Sequence, residues 1–189
     1  MSLMVVRVLF AASSLAYIVP GLCAQPRYAA DGTLALPGDY REWVFLSSGL
    51  GMTYQEPGAH GMQMAPAFTN VFVNPAAYRS FIASGKWPDK TMLILEERSS
   101  ESKGSINKGG SYQTDLLGIE AEVKDLAKVP GNGWAFFGFG KSSTGTKLPR
   151  TAECYSCHAE HAAVDNTFVQ FYPALLPIAK QKGTLAAGR

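Results

Sequence analysis

Charge is scarce in this chain, and its two signs nearly cancel. Asp, Glu, Lys and Arg make up 17% of the 189 residues, with 17 Lys and Arg against 15 Asp and Glu. Such a balance offers no electrostatic footprint for a phosphate backbone, so no nucleic acid is expected as a partner. Cysteine is scarcer still, at three residues, which excludes the disulfide framework of a small secreted scaffold. No internal repeat is present, and the length suggests one domain. Nor does any apolar run reach the roughly 20 residues of a membrane-spanning helix. The longest, residues 8–19, is interrupted by Ser13 and Ser14.

That run is nonetheless placed like a targeting segment. Arg7 precedes it, Pro20 and Gly21 end it, and Leu22-Cys23-Ala24 resembles a small-residue cleavage site before Gln25. This is the order of a secretory signal peptide. Residues 1–24 are therefore expected to be a signal peptide directing export to the periplasm, and residues 25–189 the mature domain. A retained membrane anchor is the alternative. A lipid-modified Cys23 ranks low, because Leu22 is bulky for that signal. Cleavage removes Arg7 and Cys23, leaving 16 Lys and Arg against 15 Asp and Glu, and only two cysteines, Cys154 and Cys157. The remaining 165 residues are enough for one sizeable core.

Hydrophobic patterning predicts short strands. Residues 25–36 read as an arm rich in small residues, and Pro37-Gly38-Asp39 as a turn. Strands are expected at 43–48, 68–74, 91–97, 116–123 and 134–139, the fourth alternating most clearly through Leu117, Ile119, Ala121 and Val123 with Glu120, Glu122 and Lys124 opposite. Residues 49–66 hold four Gly, two Pro and three Met with no clean period, which reads as a loop; 98–111 is polar and Gly-rich, a long loop or hairpin tip. Asn74-Pro75 opens a helix that Gly85 closes. Residues 150–163 are expected to be helical, and 173–180 to form a short helix. The fold class is α+β or mainly β: an antiparallel sheet of about five strands with flanking short helices.

The chemistry is concentrated in Cys154-Tyr155-Ser156-Cys157-His158. In C-x-x-C-H, two thiols can add across the vinyl groups of one haem, and the adjacent imidazole then bonds its iron. A thioredoxin-like dithiol would sit in a β-α-β pattern that is not found here. A zinc site would need two further ligands, with only His60 and His161 left to supply them. A c-type haem held by Cys154 and Cys157, with His158 as iron ligand, is the reading that fits.

The sixth iron position decides between an electron carrier and an open ligand site. Met52, His60, Met62 and Met64 are the candidates, all in the 49–66 loop, although ordinary loop decoration is the more economical reading of them. His161, three residues past His158, is poorly placed for the opposite haem face. Gly138-Phe139-Gly140-Lys141-Ser142 fails as a phosphate loop, since the first Gly would fall at Ala135. Lys103 and Lys108 sit in a solvated Gly/Ser stretch. Trp134, Phe136, Phe137, Phe168 and Phe171 could wall a haem pocket or fill the core, and some of both is expected.

The segments LPGDYREW (36–43), VNPAAY (73–78), GIEAEVKD (118–125), GWAFF (133–137) and TAECYSCH (151–158), followed by residues 165–173, resemble the cytochrome P-460 family and its relatives, the β-sheet cytochromes c′. The resemblance covers nearly all of residues 25–189. It implies an antiparallel sheet, usually in a homodimer, and a haem with His158 below and an open distal face for small nitrogen-containing ligands. Oxidase members oxidise hydroxylamine and carry a lysine bonded to the haem edge; the c′ relatives lack that bond and bind nitric oxide or carbon monoxide.

This chain departs from the oxidase pattern. Leu95 falls at the lysine position, with Lys90 before the strand and Lys103 after it. Glu120 matches a carboxylate of the family and is the candidate catalytic residue. The acid that relays protons in oxidase members would fall near Leu148 or Pro149, where there is none. An apolar distal face with Leu95 and Phe72 is therefore expected. The leading expectation is a nitric-oxide-binding cytochrome with at most slow redox chemistry on nitrogen oxides. A hydroxylamine-oxidising enzyme and a six-coordinate electron-transfer cytochrome are the alternatives, and a redox partner protein is compatible with any of them.

Overall fold

The computed structural model describes residues 25–52 and 66–188. The expected signal peptide at 1–24, and His60, Met62 and Met64 of the 49–66 loop, lie outside the described residues. Among the described residues no helix is long and apolar enough to cross a membrane.

Among the described residues, seven strands form one antiparallel sheet: β1 (Leu34–Ala35), β2 (Val44–Leu50), β3 (Phe68–Val73), β4 (Met92–Glu101), β5 (Tyr112–Lys124), β6 (Trp134–Gly140) and β7 (Thr144–Lys147). Their spatial order is β1-β7-β6-β5-β4-β3-β2. Three short helices accompany them, α1 (Pro75–Ser84), α2 (Glu153–His161) and α3 (Leu176–Lys182), with 3-10 turns at Tyr40–Glu42 and Val169–Phe171. The mainly-β expectation holds, but the sheet has seven strands where about five were expected. The additional ones are β1, inside the segment read as an arm, and β7. Both are too short to show a period, and they pair with each other through Leu34↔Gly145.

Alternation along the strands sorts the side chains into two cores, one on each face. On one face Met92 and Ile94 pack with Ile119, Ala121, Val123, Ala135 and Phe137, closed by Leu34, Tyr40 and Trp43. On the other, Val73, Leu93 and Trp134 meet Ala77 and Phe81 of α1, Ala179 of α3, and Val169 and Leu175. The α1, α2 and α3 side of the sheet is the side that matters for the site.

One register shift corrects the sequence reading. Glu97 pairs with Gly118 but Arg98 with Leu116, so Leu117 is an extra residue in a β-bulge. Leu116 packs against the first core, while Leu117, expected inward with Ile119, is exposed. β4 also runs on to Glu101, through residues expected to be loop. Polar residues hold it there: buried Glu96 accepts from Tyr40, from the Arg41 guanidinium at 2.8 and 2.9 Å, and from Arg98. Burial pushes the Glu96 carboxyl up, but these partners outweigh it and hold it below the usual range.

α1 begins at Pro75 and ends at Gly85, whose φ of 72° is left-handed, as the sequence predicted. Asn74 stands at its N-cap position yet makes no side-chain cap bond. Its amide instead donates to the Lys90 carbonyl (3.2 Å), and its Oδ1 accepts the Met92 N–H (2.9 Å), tying the start of the helix to the start of β4. Replacing it leaves a buried donor and acceptor unpaired. Asn74→Ala is expected to lower the stability of the fold by about 2 kcal/mol, read as an earlier midpoint in urea unfolding. A midpoint no lower than that of the exposed control Ser84→Ala would disprove the tie.

Candidate functional site

Cys154, Cys157 and His158 lie at i, i+3 and i+4 on α2, a spacing that places them on one helix face. Glu153 in the first turn and His158 and His161 in the last complement the helix dipole. No residue of α2 is fully buried. Its inward face instead lines a cavity of about 410 Å³ between helix and sheet, within the ~300–1,000 Å³ usual for ligand pockets. Tyr155 fastens the helix to β6. Its ring stands edge-on to Phe136 at 4.8 Å, and its hydroxyl donates to the Leu148 carbonyl (3.3 Å) and accepts the Phe136 N–H (3.4 Å).

The facing wall comes from three neighbouring strands. Val71 pairs with Leu95, which pairs with Glu120, and Leu93 pairs with Glu122. All five line the cavity, together with Glu97, Phe136, Phe168 and Phe171. The His158 ring lies between Phe136 (4.6 Å) and Phe168 (4.4 Å). Its Nδ1 is 2.7 Å from the Asn166 carbonyl oxygen. A proton on Nδ1 donated to that oxygen leaves Nε2 with the free lone pair, which is the form of imidazole that binds a metal. Glu122 Oε1 is 3.4 Å from the same Nδ1 and accepts from the Asn166 amide at 3.1 Å.

Burial and neighbours shift the acids upward. Burial raises the Glu122 carboxyl, against the pull of His158 and Asn166. Burial alone would lower His158, but the hydrogen bond and charge of Glu122 and the Asn166 carbonyl raise it overall. Glu120, solvent-exposed through the open cavity, is raised by desolvation and then by the charge of Glu97. Both thiols are raised, chiefly by burial and then by nearby acids. A redox dithiol depends on a depressed thiol pKa, so these neutral thiols do not fit that chemistry.

The structure brings together Cys154, Cys157, His158, Leu95 and Glu120. Phe72 is the exception. It pairs with Ile94, faces the first core, and meets the rings of Tyr40 (5.9 Å) and Phe45 (5.7 Å). Strand alternation gives its expected place to Val71. Of the aromatic candidates, Phe136, Phe168 and Phe171 line the cavity, whereas Trp134 and Phe137 belong to the two cores. Met52 also lines it, and His161 is 53% exposed beside Glu160.

Lys90 is ion-paired with Asp125, and Lys103 accepts the Tyr112 hydroxyl on its backbone carbonyl; among the described residues no lysine lines the cavity. The wall expected to be apolar carries Glu97 and Glu120. Glu97 and Glu122 went unassigned in the sequence, yet each is two residues from a predicted cavity residue on its own strand. Asn166 acts through a backbone carbonyl and left no such signal.

A family model described as Cytochrome P460 matches residues 37–169, a span that contains every cavity residue named above except Phe171. No curated protein matches the chain.

Because the folded pKa of Glu120 lies above its unfolded value, its contribution to stability is full below the unfolded value and is lost as pH rises through the folded one. Glu120→Gln should therefore gain stability relative to the parent protein between acid and neutral pH, followed by thermal melts. Parallel pH profiles for the two proteins would contradict the raised carboxyl.

Proposed function

Because the chain belongs to the cytochrome P460 family, for which a haem cofactor is implied, we propose that it is an exported mono-haem c-type cytochrome that binds nitric oxide or a similar small ligand. Cys154 and Cys157 would hold the haem through thioethers and His158 would bond its iron. The observation that carries this reading is the single cavity into which α2 brings both thiols and the imidazole, with His158 Nδ1 engaged by the Asn166 carbonyl. The donor set fits the group: neutral thiols suit addition to vinyl carbons, a free Nε2 suits iron, and Val71, Leu93, Leu95, Phe136 and Phe168 supply apolar walls. When bound, haem supplies the ligand binding and one-electron chemistry. The residues of the chain orient it and supply apolar walls, and the cavity also carries the Glu120 and Glu122 carboxyls, both raised chiefly by burial.

Leu95 stands opposite Glu120 at the position where oxidase members of the family carry their cross-linking lysine, which favours a ligand-binding role. Hydroxylamine oxidation is the second reading, and the paired carboxyls of Glu97 and Glu120 favour it, since that chemistry moves protons. Met52 on the cavity wall is what supports a six-coordinate electron carrier. A homodimer is part of the proposal; the edge strand β2 exposes Phe45 and Leu50, the kind of surface a second copy can cover.

After proteolysis of the matured protein, mass spectrometry should find haem on the peptide containing Cys154 and Cys157 and on no lysine peptide. The ferrous protein should change its absorption spectrum on adding carbon monoxide, and His158→Ala should change the spin state. A lysine–haem peptide would move the assignment to the hydroxylamine-oxidising type. A properly matured protein without haem would overturn the proposal altogether.

A further inference from the structure

The His158 side of the cavity is built on two consecutive residues in left-handed backbone, Asp165 (φ 44°) and Asn166 (φ 68°). Asp and Asn are, after glycine, the residues that enter this region most readily, and the surroundings fix them in it. Here Lys124 Nζ meets Asp165 Oδ2 at 2.6 Å, the Trp134 indole donates to Asp165 Oδ1 at 3.3 Å, and Val164 and Thr167 bridge across the turn. The turn accomplishes two things. It aims the Asn166 carbonyl at His158 Nδ1, and it aims the Asn166 side-chain amide at Glu122.

Glu122 is 7% exposed, so its carboxyl has left water. Burying an ionisable group is unfavourable unless partners compensate it, and a leucine there would serve the packing of β5 better. The partners are specific. The Asn166 amide donates to Glu122 Oε1 at 3.1 Å, and the same oxygen stands 3.4 Å from His158 Nδ1, beside the Asn166 carbonyl that Nδ1 meets at 2.7 Å. An acceptor beside the outer nitrogen of a metal-bound histidine makes the inner nitrogen a stronger donor.

We propose that Glu122 is a positioning residue that acts through His158, as a second acceptor beside the Asn166 carbonyl, and that it strengthens the axial bond and biases the iron toward its ferric state. This rests on the reading of His158 as the axial ligand.

The test uses the matured holoprotein and two variants. Glu122→Gln keeps the shape and loses the carboxylate. Asn166→Gly keeps the backbone carbonyl and accepts the left-handed φ, losing only the amide that holds Glu122. In Glu122→Gln the ferrous-to-ferric ratio at a fixed poise should rise at least tenfold, which is 59 mV for one electron, and the ferrous iron–histidine stretching frequency should fall. Asn166→Gly should move both in the same direction and by less. If Glu122→Gln does not accumulate, Asn166→Gly decides alone. Parent-like potential and stretching frequency in a haem-loaded variant overturn the role of Glu122 and leave haem attachment standing, whereas an unmutated protein that carries no haem overturns the earlier reading instead.

Discussion

The site depends on a short turn being clamped to the sheet. Lys124 on β5 reaches both Asp165 (2.6 Å) and the Trp87 carbonyl (3.0 Å), and the Trp87 indole donates to buried Thr167 at 2.7 Å. Lys124 is only 13% exposed, so its charge is less screened than a surface pair would be. α2 buries no residue completely and gains little from apolar burial, and nine residues are too few for a helix to be stable on intrinsic propensity alone. The orientation of the His158 ring therefore comes less from its own helix than from the 164–167 turn behind it and from Phe136 and Phe168 on either side.

Strand parity does the rest of the sorting. With a period of two, Leu93, Leu95 and Glu97 on β4 and Glu120 and Glu122 on β5 share the α2 side, while Met92, Ile94 and Glu96 share the other. One face thus holds a dry core and a buried Glu96 cluster, and the opposite face of the same two strands holds a cavity with acids in it. The bulge at Leu117 lies beyond the Glu97↔Gly118 pair, so the cavity rows keep their register while the far end of the hairpin twists away.

Much of this was legible in the sequence because it rests on local pattern. The C-x-x-C-H spacing, the alternation of residues 118–124 and the Pro75-to-Gly85 helix each declare themselves within about ten residues. What was not legible depends on distant pairing. β1 has two residues and β7 four; neither has a period of its own, and β7 forms on the edge of β6 and β1 on the edge of β7. Phe72 is expected with Leu95 on an apolar distal face, but its pairing with Ile94 rather than Leu95 sets its face. The role of Asn74 in holding β4, and of Asn166 in meeting His158, turns on backbone atoms that no side-chain pattern reports. The signal peptide and the candidate ligands of the 49–66 loop other than Met52 lie outside the described residues, so they stand as sequence expectations.

The carboxyls in the cavity narrow what can use it. Glu97 and Glu120 both line the cavity and raise the cost of bringing a negative charge into it, and Glu120, raised first by desolvation, already feels the charge of Glu97. An anion such as nitrite would meet that field, whereas a neutral diatomic molecule or neutral hydroxylamine would not. Both leading readings of the site thus survive the electrostatics, and the choice between them turns on the Leu95–Glu120 pair. A lysine in place of Leu95 would be a cation beside a carboxyl, able to pin Glu120 in its charged form. Leucine cannot, so the burial and the Glu97 charge that raise the Glu120 carboxyl are opposed by His158 but by no cation at position 95. Without a cation at position 95 to hold Glu120 ionised, the site is less suited to a reaction that must pass protons out to solvent, and that favours capture of a small molecule over its oxidation.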